Sequence, residues 1–109
     1  INWNTFIMEF ECCAKKPKEV EDVSKTYAFL RAIADQNRLK ILCILREGSK
    51  CVCEIVPAIG ISGKLASHHL KQLKLAGLLT DERRGNFIYY SLNRKAVKNY
   101  KMLFNKIIK

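Results

Sequence analysis

No apolar run in this chain approaches the ~20 residues that cross a bilayer as a helix. Its first residues also lack the basic start and uninterrupted apolar stretch of a secretory leader, so a soluble, cytoplasmic protein with no membrane partner is expected. Repeats, low-complexity tracts and linkers are missing too, and 109 residues, 49% of them hydrophobic, allow one small core. Enzyme motifs are absent. His68-His69 has no carboxylate or nucleophile at a supporting spacing, no glycine-rich loop is placed to cradle a phosphate, and Cys51-Val-Cys53 is not the two-spaced redox pattern. Neither catalytic residues nor an organic cofactor are expected. Acidic residues are scarce, ten Asp and Glu against twenty Lys and Arg. The net charge of +10 favours a polyanionic partner, nucleic acid first. The five cysteines are an odd number, two side by side and two separated by one residue, which argues against a disulfide framework and for metal ligands or redox groups.

What is present is mostly helical periodicity. Trp3, Phe6, Ile7 and Phe10 recur at i, i+3, i+4 and i+7, an amphipathic arm interrupted by Lys15-Lys16-Pro17. From Lys18, the positions Val20, Val23, Tyr27, Leu30 and Ala34 keep helical spacing and are expected to face the core, and Pro17 suits a first turn. Asp35 can cap a helix carrying Leu39, Ile41, Leu42, Ile44 and Leu45 that ends near Gly48. A short helix from about Cys51 to Ala58, a turn at Ile59-Gly60-Ile61 and a longer helix from Ser62 to about Ala76 form the helix-turn-helix pattern. Thr80–Arg83 and Phe87–Leu92 flank Arg84-Gly85-Asn86, which predicts a hairpin. Val97, Tyr100, Phe104, Ile107 and Ile108 return to helical spacing, and an apolar stripe on a terminal helix calls for a partner, most simply a second copy. The expected class is mainly α with a small β-hairpin, a dimeric winged helix-turn-helix. Residues 1–17 form an arm bearing thiols, and residues 18–109 form the DNA-binding and dimerisation domain.

The helix after Ser62 divides by face. Ala66, His69, Leu70, Leu73 and Gly77 share the apolar side, whereas Lys64, Ser67, His68, Lys71 and Lys74 share the polar one. That polar face, with Ser62 at its start, suits a major groove, where Lys, Ser and His reach base edges and phosphates. An ordinary solvated face is the bland alternative, and the preceding helix, turn and basic charge argue against it. Arg83 and Arg84 at the hairpin tip suit DNA phosphates, although charged tips also occur for solubility alone. His69, among apolar neighbours, is expected to be a hydrogen-bonded structural residue, and Cys43 a core residue. Cys51 and Cys53 are two apart, roughly 200° around a regular helix, so they chelate one ion together only if the helix start is distorted. Cys12 and Cys13 are the obvious further thiols. Four thiolates suit tetrahedral Cd(II), Zn(II) or Pb(II), and three suit pyramidal As(III) or Sb(III).

Ala32-Ile-Ala-Asp-Gln-Asn-Arg-Leu-Lys-Ile-Leu42, Cys51-Val-Cys-Glu-Ile55, Ile59-Gly-Ile-Ser62, Ser67-His-His-Leu70 and Gly85-Asn-Phe-Ile-Tyr-Tyr-Ser-Leu92 together resemble the ArsR/SmtB family of metal-sensing repressors, over about residues 20 to 107. The resemblance implies a homodimer joined through terminal helices, bound to double-stranded operator DNA without metal and released by an inducer. It also matches Cys51 and Cys53 to the thiol motif of the family's arsenic, cadmium and lead sensors. The third cysteine that some arsenic sensors carry on that helix is Val56 here, and Cys12 and Cys13 fit the members that complete the site from the arm. Adjacent arm cysteines look most like the arsenic sensors. The C-terminal-helix zinc site of other members looks absent, since its segments read Asn93-Arg-Lys-Ala96 and Asn105-Lys-Ile-Ile. Two alternatives stay open: a redox-sensing repressor with a disulfide from Cys12 or Cys13 to Cys51 or Cys53, and a zinc-stabilised interaction module.

Overall fold

A computed structural model describes residues 17–108. Helices α1 (Pro17–Ile33) and α2 (Gln36–Leu45) lead into a two-residue strand, β1 (Lys50–Cys51). Helices α3 (Val52–Ile59) and α4 (Gly63–Leu75) follow, then the hairpin β2 (Leu79–Arg84) and β3 (Phe87–Leu92), and α5 (Arg94–Ile107). The expected arm helix over Trp3, Phe6, Ile7 and Phe10, and the arm's Cys12 and Cys13, lie outside the described residues.

Local chemistry sets each boundary. Pro17 opens α1, where its missing N–H costs nothing. Asp35, in extended backbone, caps α2 by accepting from the N–H groups of Asn37 (2.9 Å) and Arg38 (3.1 Å). Gly60 makes the turn after α3 in the left-handed region (φ 78°), and Ser62 Oγ caps α4 by accepting from Leu65 N. At the far end of α4, Gly77 (φ 78°) closes the helix. Its N–H donates to Lys74 O, and that of Leu78 to Leu73 O, the paired bonds that satisfy a helix's last carbonyls.

The sheet is antiparallel in the order β1-β3-β2, with Cys51 opposite Tyr89 and Arg84 opposite Phe87. The hairpin is tighter than expected: Arg84 ends β2, and only Gly85 and Asn86 turn the chain. β1 has no counterpart in the sequence reading, because two residues carry no period. Ala32, Ile41, Leu45, Ile55, Leu70, Leu73, Leu78 and Leu79 form the core, so α1, α2, α3, α4 and the start of β2 meet in one place. At roughly 1.5–3 kcal/mol for each large side chain buried, this cluster holds α4 from beneath.

Two expectations are corrected. The inward residues of α1 are Thr26, Phe29, Ala32 and Ile33, whereas Tyr27 and Leu30 are each 41% exposed. α1 packs against α5 through the stacked rings of Phe29 and Tyr100, 4.6 Å apart. The Val20–Leu30 stripe therefore runs along the helix's flank instead of beneath it. Cys43 is exposed rather than in the core. Ile41 and Leu45 fix the buried side of α2, and a residue two positions from each points away from it.

Candidate nucleic-acid interface and thiol centre

α4 presents Lys64, Ser67, His68 and Lys71 to solvent, with Ala66, His69, Leu70 and Leu73 buried behind them. Ser62 is exposed and is also the cap, so its oxygen is already engaged by Leu65 N. Lys74 differs from the other polar-face residues. Its Nζ bonds Asp81 Oδ2 at 2.9 Å and ties the end of α4 to β2, and that carboxylate raises the Lys74 pKa.

The two hairpin arginines are not equivalent. Arg83 Nε donates to Gly85 O across the turn. Arg84 pairs with Glu82 (3.1 Å) and lies over the Tyr89 ring, 4.5 Å from its centre. Alternation along β2 places Arg83 on the face of Asp81, toward α4, and Arg84 on the opposite face.

His69 is 5% exposed. Its Nδ1 accepts from Arg38 Nε at 3.1 Å, and its Nε2 stands 3.8 Å from Asp35 Oδ1. Arg38 also donates to Ala32 O, so one imidazole joins α4 to the end of α1 and the first turn of α2. The hydrogen-bonded structural role expected of His69 is met. Nothing local in the sequence points to its partner Arg38, since 31 residues separate the two. Tyr100 likewise shows in the sequence only as an apolar stripe residue, yet its hydroxyl donates to Ala76 O at the end of α4 (2.9 Å).

Cys51 and Cys53 depart from regular helical geometry. Cys51 is buried, in β1, with extended backbone (φ −72°, ψ 150°), and it is the N-cap of α3 rather than part of it. Its Sγ accepts from Cys53 N at 3.1 Å, while its own N–H donates to Glu54 Oε1, a reciprocal capping arrangement with sulfur in the usual place of oxygen. The two sulfurs meet as a disulfide pair. The roughly 200° separation applies only within a helix, so this distorted start removes the objection to joint chelation. Once reduced, the pair offers two adjacent thiolates, a soft donor set. No group of three or more His, Cys, Asp and Glu suited to a metal occurs among the described residues.

The chain is similar in sequence and in fold to known transcriptional regulators. The family described as bacterial regulatory protein, arsR family, matches residues 35–81, from the cap of α2 into β2. The arsenic resistance transcriptional regulator ArsR1 of Pseudomonas putida is 44% identical over 64 residues, which cover 58% of this chain and 50% of that protein. The transcriptional repressor SdpR of Bacillus subtilis is 42% identical over 69 residues, covering 63% of this chain and 77% of that protein. A solution structure of the homodimeric winged helix-turn-helix DNA-binding domain of a possible ArsR-family regulator from Mycobacterium bovis superposes with a TM-score of 0.63 at 26% identity, over 83% of this chain and 84% of that one. The chain thus spans about half the length of the arsenic regulator it matches.

Proposed function

This chain belongs to the ArsR/SmtB family of metal-sensing transcriptional repressors, regulators and not enzymes, and we propose that two copies hold operator DNA until a thiophilic ion bound at Cys51 and Cys53 releases it. As(III) or Sb(III) is the favoured inducer, with Cd(II) or Pb(II) next. The observation that carries the reading is the capped start of α3, which brings two soft ligands together on the helix before the reading helix α4. Lys64, Ser67, His68 and Lys71 enter the major groove, and Arg83 and Arg84 approach the backbone.

The bound ion would supply the bonds that hold three or four thiolates at one point. The chain's own residues do the rest. Cys53 N–H, aimed at Cys51 Sγ, suits a negatively charged sulfur at a helix start. Ile55, buried in the core with Leu70 and Leu73, passes any shift of α3 to α4. Cys12 or Cys13 drawn to Cys51 pulls the arm onto α3, and a bias of about 3 kcal/mol in the placement of α4 lowers operator affinity roughly a hundredfold.

Operator release titrated with arsenite, antimonite, Cd(II), Pb(II) and Zn(II) under strict reduction tests this. Cys51→Ser, and Cys12→Ser with Cys13→Ser, should keep DNA binding and lose release, whereas Cys43→Ser should respond like the parent. A double arm variant released at the parent's arsenite or cadmium concentration would sink the arm-to-α3 mechanism. The Cys51–Cys53 pairing favours one competing reading, a redox switch in which hydrogen peroxide takes two electrons and two protons from these thiols, giving the disulfide and two waters. Release by peroxide without any metal would select it.

A further inference from the structure

Beside α4 lies an open groove of about 840 Å³ between that helix and α1. Its α4 wall carries His68 and Gln72, its α1 wall Tyr27 and Arg31, and Asp35 and Arg38 line it as well. Around α4, Gln72 and Lys74 stand roughly 160° apart. Lys74 is the residue bonded to β2, so the groove and the wing occupy opposite flanks of the same reading helix.

We infer that this groove is a second phosphate-binding flank, in which Arg31 meets the DNA strand opposite the one the wing approaches. The inference rests on the reading of α4 as the element in the major groove. A helix about 10–12 Å across fills a groove about 12 Å wide, so whatever stands immediately beside its polar face meets a sugar-phosphate strand. On one side that is the hairpin. On the other it is the α1 wall, reached across His68, which also belongs to the exposed face of α4. Charge agrees with position: two guanidinium groups, Arg31 and Arg38, face one carboxylate, Asp35, which is already engaged by the cap of α2. Arg38 is held by His69 and Ala32 O and serves as fixed charge. Arg31 is exposed, with one terminal nitrogen on Tyr27 Oη at 3.2 Å, a surface bond that a phosphate oxygen can replace. Such a contact is blind to base sequence and sets register, so α1 becomes part of the reading head.

The test uses a duplex of about 30 base pairs, long enough for two half-sites a helical turn apart, recovered from a random pool by the full chain, together with a scrambled duplex of equal length. Arg31→Gln should weaken both by the same factor and lower the slope of log affinity against log salt by about one unit per protomer contact. Arg31→Lys should keep the parent's slope, which a merely structural role for the guanidinium would not predict. Lys71→Gln marks the response of α4 itself. A parental slope in Arg31→Gln, with a reduced one in Lys71→Gln, would overturn the second flank and leave the DNA reading intact. A parent chain that recovers no duplex would overturn both. Loss confined to the selected duplex would make Arg31 a base-reading residue and overturn the phosphate assignment.

Discussion

His69 shows how a single residue can be half legible. Its apolar neighbours mark it as buried and therefore bonded, but the bond's other end is a matter of tertiary packing. Because Arg38 only donates, Nδ1 must accept and the proton sits on Nε2, toward Asp35. His69→Ala leaves Arg38 Nε without this acceptor and opens a void under α4, and should cost about 2–4 kcal/mol in urea unfolding. His69→Asn places an oxygen near the Nδ1 position and should recover much of that. Equal losses in the two variants would mean that ring volume, not the hydrogen bond, holds α4 in place. Cys51 is the opposite case: its type was informative and its conformation was not. Spacing alone put it inside a helix, while the structure makes it the cap, with its sulfur turned toward Cys53.

At the scale of elements, boundaries written in local chemistry were legible, as at Pro17, Asp35, Gly60, Ser62 and the Gly85-Asn86 turn. Each satisfies orphan backbone groups, or takes a backbone angle that few residues accept. What depended on distant partners was not. β1 exists because Lys50 and Cys51 pair with Tyr90 and Tyr89, and the inward face of α1 is chosen by Tyr100. The α2 cap carries a pH prediction. Asp35 is held below the ordinary carboxylate range, chiefly by the Arg38 backbone N–H, with smaller contributions from His69, Asn37 N–H and the Arg38 charge. A depressed carboxylate contributes stability that is fully present above its unfolded value, near 3.9, and is lost as pH falls through the lower folded value. Asp35→Ala should therefore cost about 1 kcal/mol near neutrality. The gap to the parent should narrow only below about pH 4. A gap unchanged at pH 3 would show that the carboxylate charge does not matter to the cap.

Considered as a whole molecule, the chain leaves apolar surface on two helices that already touch each other. Leu30 on α1 and Met102, Phe104, Ile107 and Ile108 on α5 are exposed, with Ile108 at 61%, while Phe29 and Tyr100 bind the two helices from within. No element among the described residues covers this surface, and a copy related by a two-fold axis would cover it with itself. α5 then has two duties. In such a pair one side would face the second copy, while from the other the Tyr100 hydroxyl donates to Ala76 O, where α4 ends, so the helix joining the copies would set the spacing of the two reading helices. Phe104→Glu with Ile107→Glu should give a monomer by light scattering at micromolar concentration. With one half-site contacted instead of two, the salt slope of DNA binding should fall to about half, because it counts phosphates neutralised. The fold itself should persist, since neither residue belongs to the buried cluster. A variant that stays dimeric would move the interface off α5, and a monomer that keeps the parent's slope would mean that one copy makes every phosphate contact.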